Sequence, residues 1–376
     1  MQVKNASNRG KKVFILGAGF SKEAGAPSQE DLVRKIFEIG GIYPNEYQGG
    51  IEKFRLFLAN VLHIPEEYYS SIPLEDIFTP LDKCVVDGIS FRDLPLEKVI
   101  EIRGLIYFLI GKTIEILLRT NWDKKTYIDK FAEKLTQLTS DRAGQSYKEY
   151  DPISVISTNW DIILDNAIQQ SIDSSHPNNA VVDYCCHISS FDQYNHQVMP
   201  GLEMLGKGGF NVKLLKVHGS LNWLQCPRCQ RLYVDFYNKI AIQQYLSKEK
   251  CRHCNKNFGT HDSHILTSNL IMPTFLKNLS NPQYKLIWQN AVIELSEADK
   301  IIFIGYSLPF ADFEMRQLLS RMVRPNARIE VVDFGSEDDL RIKDTLQRYK
   351  VFFGSRNVTT FLAGAKQYIM TEFANH

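Results

Sequence analysis

The chain holds 376 residues, 44% of them hydrophobic and 23% charged, with a formal net charge of +1. That length supports one large domain or two moderate ones with a proper core. A near-neutral balance removes any bulk electrostatic case for nucleic acid or a membrane surface as partner, though not for a local basic patch. Residues 1–12 are polar and lack the apolar centre of a signal peptide. The most apolar helical stretch, 104–118, is interrupted by Lys112 and Glu115. Its uncharged run falls short of the roughly 20 residues that a membrane span needs, so a buried helix is expected. Seven cysteines, four of them in two CxxC pairs, fit a reducing cytoplasm better than a disulfide scaffold.

The first element is Val13-Phe14-Ile15-Leu16, an apolar run with the composition of a buried parallel strand. Gly17-Ala18-Gly19 follows at once, then Ser21 and Gly25. Glycines at a strand end allow a sharp turn and let a phosphate approach the backbone. The N–H groups that open the next helix would face that phosphate. A tight turn with no ligand would also favour glycine, and GAGFSKEAG lacks the usual GxGxxG spacing. From residue 41 to about 150 the pattern is mainly helical, with Phe54, Leu58 and Leu62 on one face and Pro65, Pro73, Pro80 and Pro95 as punctuation. No catalytic pattern emerges there.

A polar loop over 140–150 leads to a second buried strand at 153–157, then Asn159, Asp161 and a helix. Two strand-loop-helix units imply an open parallel sheet whose ligands sit at the carboxyl ends of the strands. Asn159 and Asp161 are therefore expected on the rim that carries the glycine loop. A turn and a helix cap are the alternatives for those two residue types. Residues 171–211 read as loops around one short strand at 181–184. A third strand at 212–217 ends in His218-Gly219-Ser220. Cys226 with Cys229 and Cys251 with Cys254 form two CxxC knuckles, the pattern of a four-thiolate structural zinc ribbon. Their separation slightly exceeds the usual interval of about 15–20 residues, and a redox dithiol is the alternative. Beyond the ribbon, a strand at 301–304 ends in Gly305, with Ser307 two residues on. The strand at 328–332 ends in Asp333, placed to accept from a ribose hydroxyl or to cap the next segment. A helix at 338–349, a short strand at 351–353 and a helix at 358–373 complete the chain.

Several of these motifs resemble those of the sirtuins, in the same order. GAGFSKEAGAP resembles the first sirtuin signature, STNWD the TQNID segment, VHGSLNW the segment with the catalytic histidine, and IGYS the GTS loop. The family's glutamine is replaced by Thr158. The resemblance implies an α/β fold, a doubly wound parallel sheet with a helical insertion lobe and a zinc ribbon. On that pattern, 1–40 and 151–336 form the NAD-binding domain, with the ribbon at 222–260 inserted. Residues 41–150 form the helical lobe, and 337–376 a C-terminal helix-strand-helix extension. It further implies that Gly17, Ala18, Gly19, Ser21, Gly305 and Ser307 contact NAD, while Asn159, Asp161 and His218 surround the nicotinamide ribose.

Two departures narrow the expected activity. Where deacetylases of the family continue AG-x-P with Asp-Phe-Arg, Pro27 is followed by Ser28-Gln29-Glu30-Asp31. Where they carry a Phe-Gly-Glu segment to pair with the acyl-lysine peptide, this chain has IMPTFLKN over 271–278. The combination resembles the sirtuin-like NAD hydrolases of bacterial antiphage defence, some of which work beside a hexameric HerA-type ATPase. The expectation is an NAD glycohydrolase that yields nicotinamide and ADP-ribose, with an NAD-dependent deacylase, an ADP-ribosyltransferase or a non-catalytic NAD or ADP-ribose sensor as alternatives. A homo-oligomer is expected from the helical surfaces, and the ATPase partner from the resemblance alone.

Overall fold

The computed structural model describes residues 10–140, 151–268, 270–272, 277, 279–354 and 358–373. The expected polar loop and most of the 271–278 stretch lie outside them. Among the described residues ten strands run in chain order: β1 (Lys12–Leu16), β2 (Ile153–Ser157), β3 (Ala180–Asp183), β4 (Ile188–Ser190), β5 (Phe210–Lys216), β6 (Trp223–Gln225), β7 (Leu232–Val234), β8 (Lys300–Ile304), β9 (Arg328–Val332) and β10 (Val358–Phe361). Seven of them form one sheet in the order β10-β9-β8-β1-β2-β5-β3, and every pairing within it is parallel. The expected doubly wound parallel sheet is present. Val13, Phe14 and Ile15 of β1 have no accessible surface, because a parallel strand covered on both faces must be apolar on both.

Register decides where the functional residues emerge. Leu16 sits opposite both Ser157 and Ile304, Ser157 opposite Lys216, and Ile304 opposite Val332. The carboxyl ends of five strands are therefore level. The chain leaves β1 towards β2 on one side and leaves β8 towards β9 on the other. Diverging connections open a crevice between them, the usual ligand position in such sheets.

The helical lobe has its own core, with Leu32, Ile36, Phe54, Leu58, Ile77, Phe78, Ile106 and Leu109 in one buried cluster. Its central helix, Leu96–Thr120, contains the expected buried apolar stretch. Among the described residues no helix is long and apolar enough to cross a membrane. Two boundaries differ from expectation. The helix Leu32–Ile42 packs with the lobe, and the helix Thr126–Ser140 packs on the sheet through Tyr127, Ile128, Phe131 and Leu135. The C-terminal segment differs too. Residues expected as a strand at 351–353 finish the helix Leu340–Phe353, where Tyr349 and Phe353 stack one turn apart. The strand is instead β10, which extends the main sheet beside β9, and the last helix begins at Gly364.

Candidate active site and metal centre

The glycine loop meets the loop after β8 backbone to backbone. Gly17 N donates to Ile304 O at 3.0 Å and Gly19 N to Gly305 O at 3.0 Å. A Cβ on Gly19 would lie 2.6 Å from Gly305 Cα, and one on Gly305 would lie 2.2 Å from the Gly19 carbonyl carbon. Gly305 also takes φ +60, in the left-handed region. These glycines are thus required for one another, whatever else they admit. The N–H groups of Gly19 and Phe20 are already engaged by Gly305 O and Gly17 O.

Ser21, buried in the short helix that follows, connects the glycine loop to β2. Asn159 Nδ2 donates to Ser21 Oγ at 3.4 Å, and Ser21 also bonds the Asp161 carboxylate. Asp161 does act on its helix, accepting from Ile163 N at 3.2 Å. Lys216, at the end of β5, donates to Asp161 O at 2.5 Å and pairs with Asp165 at 3.1 Å. Burial pushes the Asp161 carboxyl above the ordinary range, and Lys216, Ser21 and the Ile163 N–H offset this only in part.

His218 follows β5 after the single intervening residue Val217. Its carbonyl accepts from Ile271 N at 3.0 Å, and Ile271 O accepts from Trp160 Nε1 at 3.2 Å. Its Nε2 lies 3.2 Å from Asp312 Oδ1. Asp312 comes from the loop after β8, so this contact reaches across the level ends of β1 and β2. Lys277 also pairs with Asp312, and its ammonium lies 2.9 Å from Glu314. Tyr306 OH donates to Asp312 Oδ2 at 2.7 Å. Burial alone would raise the Asp312 carboxyl; the neighbouring His218 and Lys277 hold it well below the usual carboxylate range.

The structure brings Gly17, Gly19, Ser21, Asn159, Asp161, His218 and Gly305 to one rim. Ser21, Asn159, Asp161 and His218 retain 1%, 9%, 8% and 5% of their accessible surface, so the site is closed in this conformation. Ala18 is half-buried beside it. Ser307 is exposed, and its carbonyl accepts from Arg348 Nε at 3.0 Å. Asp333 ends β9 on the same edge, but its carboxylate is held by Arg341 at 3.2 Å and by Phe334 N at 2.8 Å. Sequence reasoning missed Asp312, Lys277 and Tyr306. Asp312 immediately precedes the helix Phe313–Met322 and reads as its cap, yet its side chain makes no capping bond.

The four CxxC cysteines converge in a separate small core with Leu224, Tyr233, Ile240 and Leu266. All four Sγ atoms lie within 4.8 Å of one another. The Cys226–Cys254 and Cys229–Cys251 separations are both 3.8 Å. A tetrahedron with Zn–S near 2.3 Å has edges of about 3.8 Å, so the donor set fits one zinc ion. Four protein thiolates leave no ligand position for a substrate, which makes the site structural. Tyr233 OH lies 3.2 Å from Cys251 Sγ and supports it from outside the ligand shell.

No protein-family model matches the chain, and no curated protein does. Among solved structures, the chain is similar to one described as a Sir2 homolog–NAD complex, with 14% identity over 96% of this chain and 87% of that one, at a TM-score of 0.40. A structure described as giving the basis for the mechanism and regulation of Sir2 enzymes has 11% identity, coverage of 96% and 88%, and a TM-score of 0.40. One concerned with sirtuin substrate affinity has 13% identity, coverage of 97% and 94%, and a TM-score of 0.35.

Proposed function

We propose that the chain is an NAD glycohydrolase. The observation that carries this reading is that Ser21 bonds both Asn159 and Asp161 while His218 reaches Asp312 in the loop after β8, all on the rim at the carboxyl ends of the strands. The bond to be broken joins the nicotinamide nitrogen to the anomeric carbon of its ribose. The bonding pair leaves with the ring, which loses its positive charge, and an oxocarbenium-like centre remains on the sugar. Water then bonds to that carbon and gives up a proton, yielding ADP-ribose. Asn159 supplies an amide to orient the ribose or the water, His218 accepts the proton, and the buried Asp161 faces the developing cation. Neither Asn159 nor His218 forms a covalent bond to the sugar.

The test is nicotinamide release from NAD by the purified protein, with and without an acetylated peptide. Asn159→Ala and His218→Ala are each expected to remain folded and lose activity by roughly 10²–10⁴-fold. Their effects should not add, since both act on one ribose and one water. Near-native release by His218→Ala at saturating NAD would overturn the mechanism. Release that requires the peptide, with transfer of its acyl group, would favour the deacylase instead. The physiological setting we propose, on the motif resemblance alone, is NAD exhaustion during antiphage defence beside a HerA-type ATPase. Unchanged cellular NAD after infection of cells carrying the native protein would count against it.

A further inference from the structure

An imidazole has two nitrogens, and a proton acceptor needs the lone pair of one directed at its substrate. Here Nε2 faces Asp312 Oδ1 at 3.2 Å, while Nδ1 makes no hydrogen bond among the described residues. An ionised carboxylate only accepts, so Nε2 must carry the hydrogen. Resting on the hydrolase reading above, we propose that Asp312 is the positioning residue of the reaction: it keeps the His218 proton on Nε2 and leaves Nδ1 to take the proton from water.

The carboxylate is itself fixed from several directions. Asp312 is 2% exposed. Its Oδ2 accepts from Tyr306 OH at 2.7 Å, and Lys277 pairs with its Oδ1. Tyr306 is held in turn through its carbonyl, which accepts from Tyr349 OH at 2.6 Å. Tyr349 is fully buried and packs edge-on against Phe303 of β8, with ring centroids 5.0 Å apart. A rigid path thus runs from the sheet and the helix Leu340–Phe353 to the imidazole. Positioning of this kind needs a supporting shell that cannot rotate. The Lys277 ammonium and the Tyr306 hydroxyl, both directed at the Asp312 carboxylate, agree with a permanently ionised acceptor. The same logic explains why an amide in place of such a carboxylate disables a histidine base: it can donate to the ring nitrogen and move the proton to the other side.

Nitrogen NMR of the native protein, labelled in its histidine rings, tests the assignment without any substitution. The His218 resonances are identified by their loss in His218→Gln. The expected result is a neutral ring protonated on Nε2, and a ring protonated on Nδ1 would overturn the proposal. Asp312→Asn should shift the proton towards Nδ1 and lower kcat by roughly 10²–10⁴-fold, with KM within a few-fold of native. Tyr306→Phe, which loosens the carboxylate without removing it, should keep the Nε2 proton and lose less activity. An Asp312→Asn protein that retains kcat within threefold would also overturn the proposal. A native protein that never cleaves NAD would sink the hydrolase reading instead, while the spectrum would still decide the tautomer.

Discussion

Asp161 carries its charge where water does not reach it, and that has a measurable sign. Its folded-state carboxyl titrates above the unfolded value, chiefly because of burial. The protonated form is therefore the one the fold favours. Its contribution to stability is fully present below about pH 4, near the unfolded value, and is lost as pH rises through the folded-state value. Asp161→Asn keeps the shape and an acceptor for Ile163 N without the charge. We expect it to melt roughly a few degrees above the native protein at pH 8, to converge with it near pH 4, and, on the proposed hydrolase reading, to cleave NAD more slowly. A melting temperature at pH 8 equal to or below native would refute the argument. Gain of stability with loss of activity is the usual mark of a residue kept for chemistry. The rim positions of Asn159, Asp161 and His218 were legible in the sequence because each follows an apolar strand within a few residues. Asp312 was not, because it meets His218 across 94 residues of chain and its position before a helix supplies a more local explanation.

The buried strands were legible as elements because both faces of each are apolar, as in Val13-Phe14-Ile15-Leu16. The C-terminal strand was misplaced because Val351, Phe352 and Phe353 have the composition of a strand. Burial of Ile342, Thr345, Tyr349 and Phe353 along one helical face decided otherwise. The ribbon was legible from spacing alone, and its energetics follow from its size. Its core comprises seven fully buried residues, three of them cysteines, too few to hold β6, β7 and the 251–266 segment without a cross-link. Metal binding is then folding energy for this module. Carefully purified native protein should contain one zinc per chain. Cys251→Ser should retain little, and it should become protease-sensitive within 226–266 while the main sheet stays protected. Less than half an equivalent of zinc in the native protein would contradict this. The ribbon also touches the helical lobe, where Tyr245 stacks on Phe108 with centroids 4.7 Å apart, so its loss should loosen that contact as well.

At the scale of the whole molecule, the lobe, the ribbon and the sheet meet around the site. Tyr107 of the lobe donates to Leu270 O at 3.1 Å, next to the Ile271 that holds His218. The sheet places β1 at its centre, between β2 and β8, and the neighbouring Lys11 bonds Asp299, 288 residues further on. During synthesis this strand leaves the ribosome long before either of its partners has been made. Loop-closure entropy opposes such distant pairing until late, so VFIL must wait with its apolar faces uncovered, a state prone to self-association. A chain truncated at residue 299 should show no hydrogen-exchange protection at β1 amides, whereas the full chain should protect them as strongly as any in the protein. Protection in the truncated chain would mean that β2 alone suffices. Otherwise the glycine turn that begins the site is among the first parts translated and among the last to take shape, and a ribosome-bound intermediate of this protein lacks the assembled rim altogether.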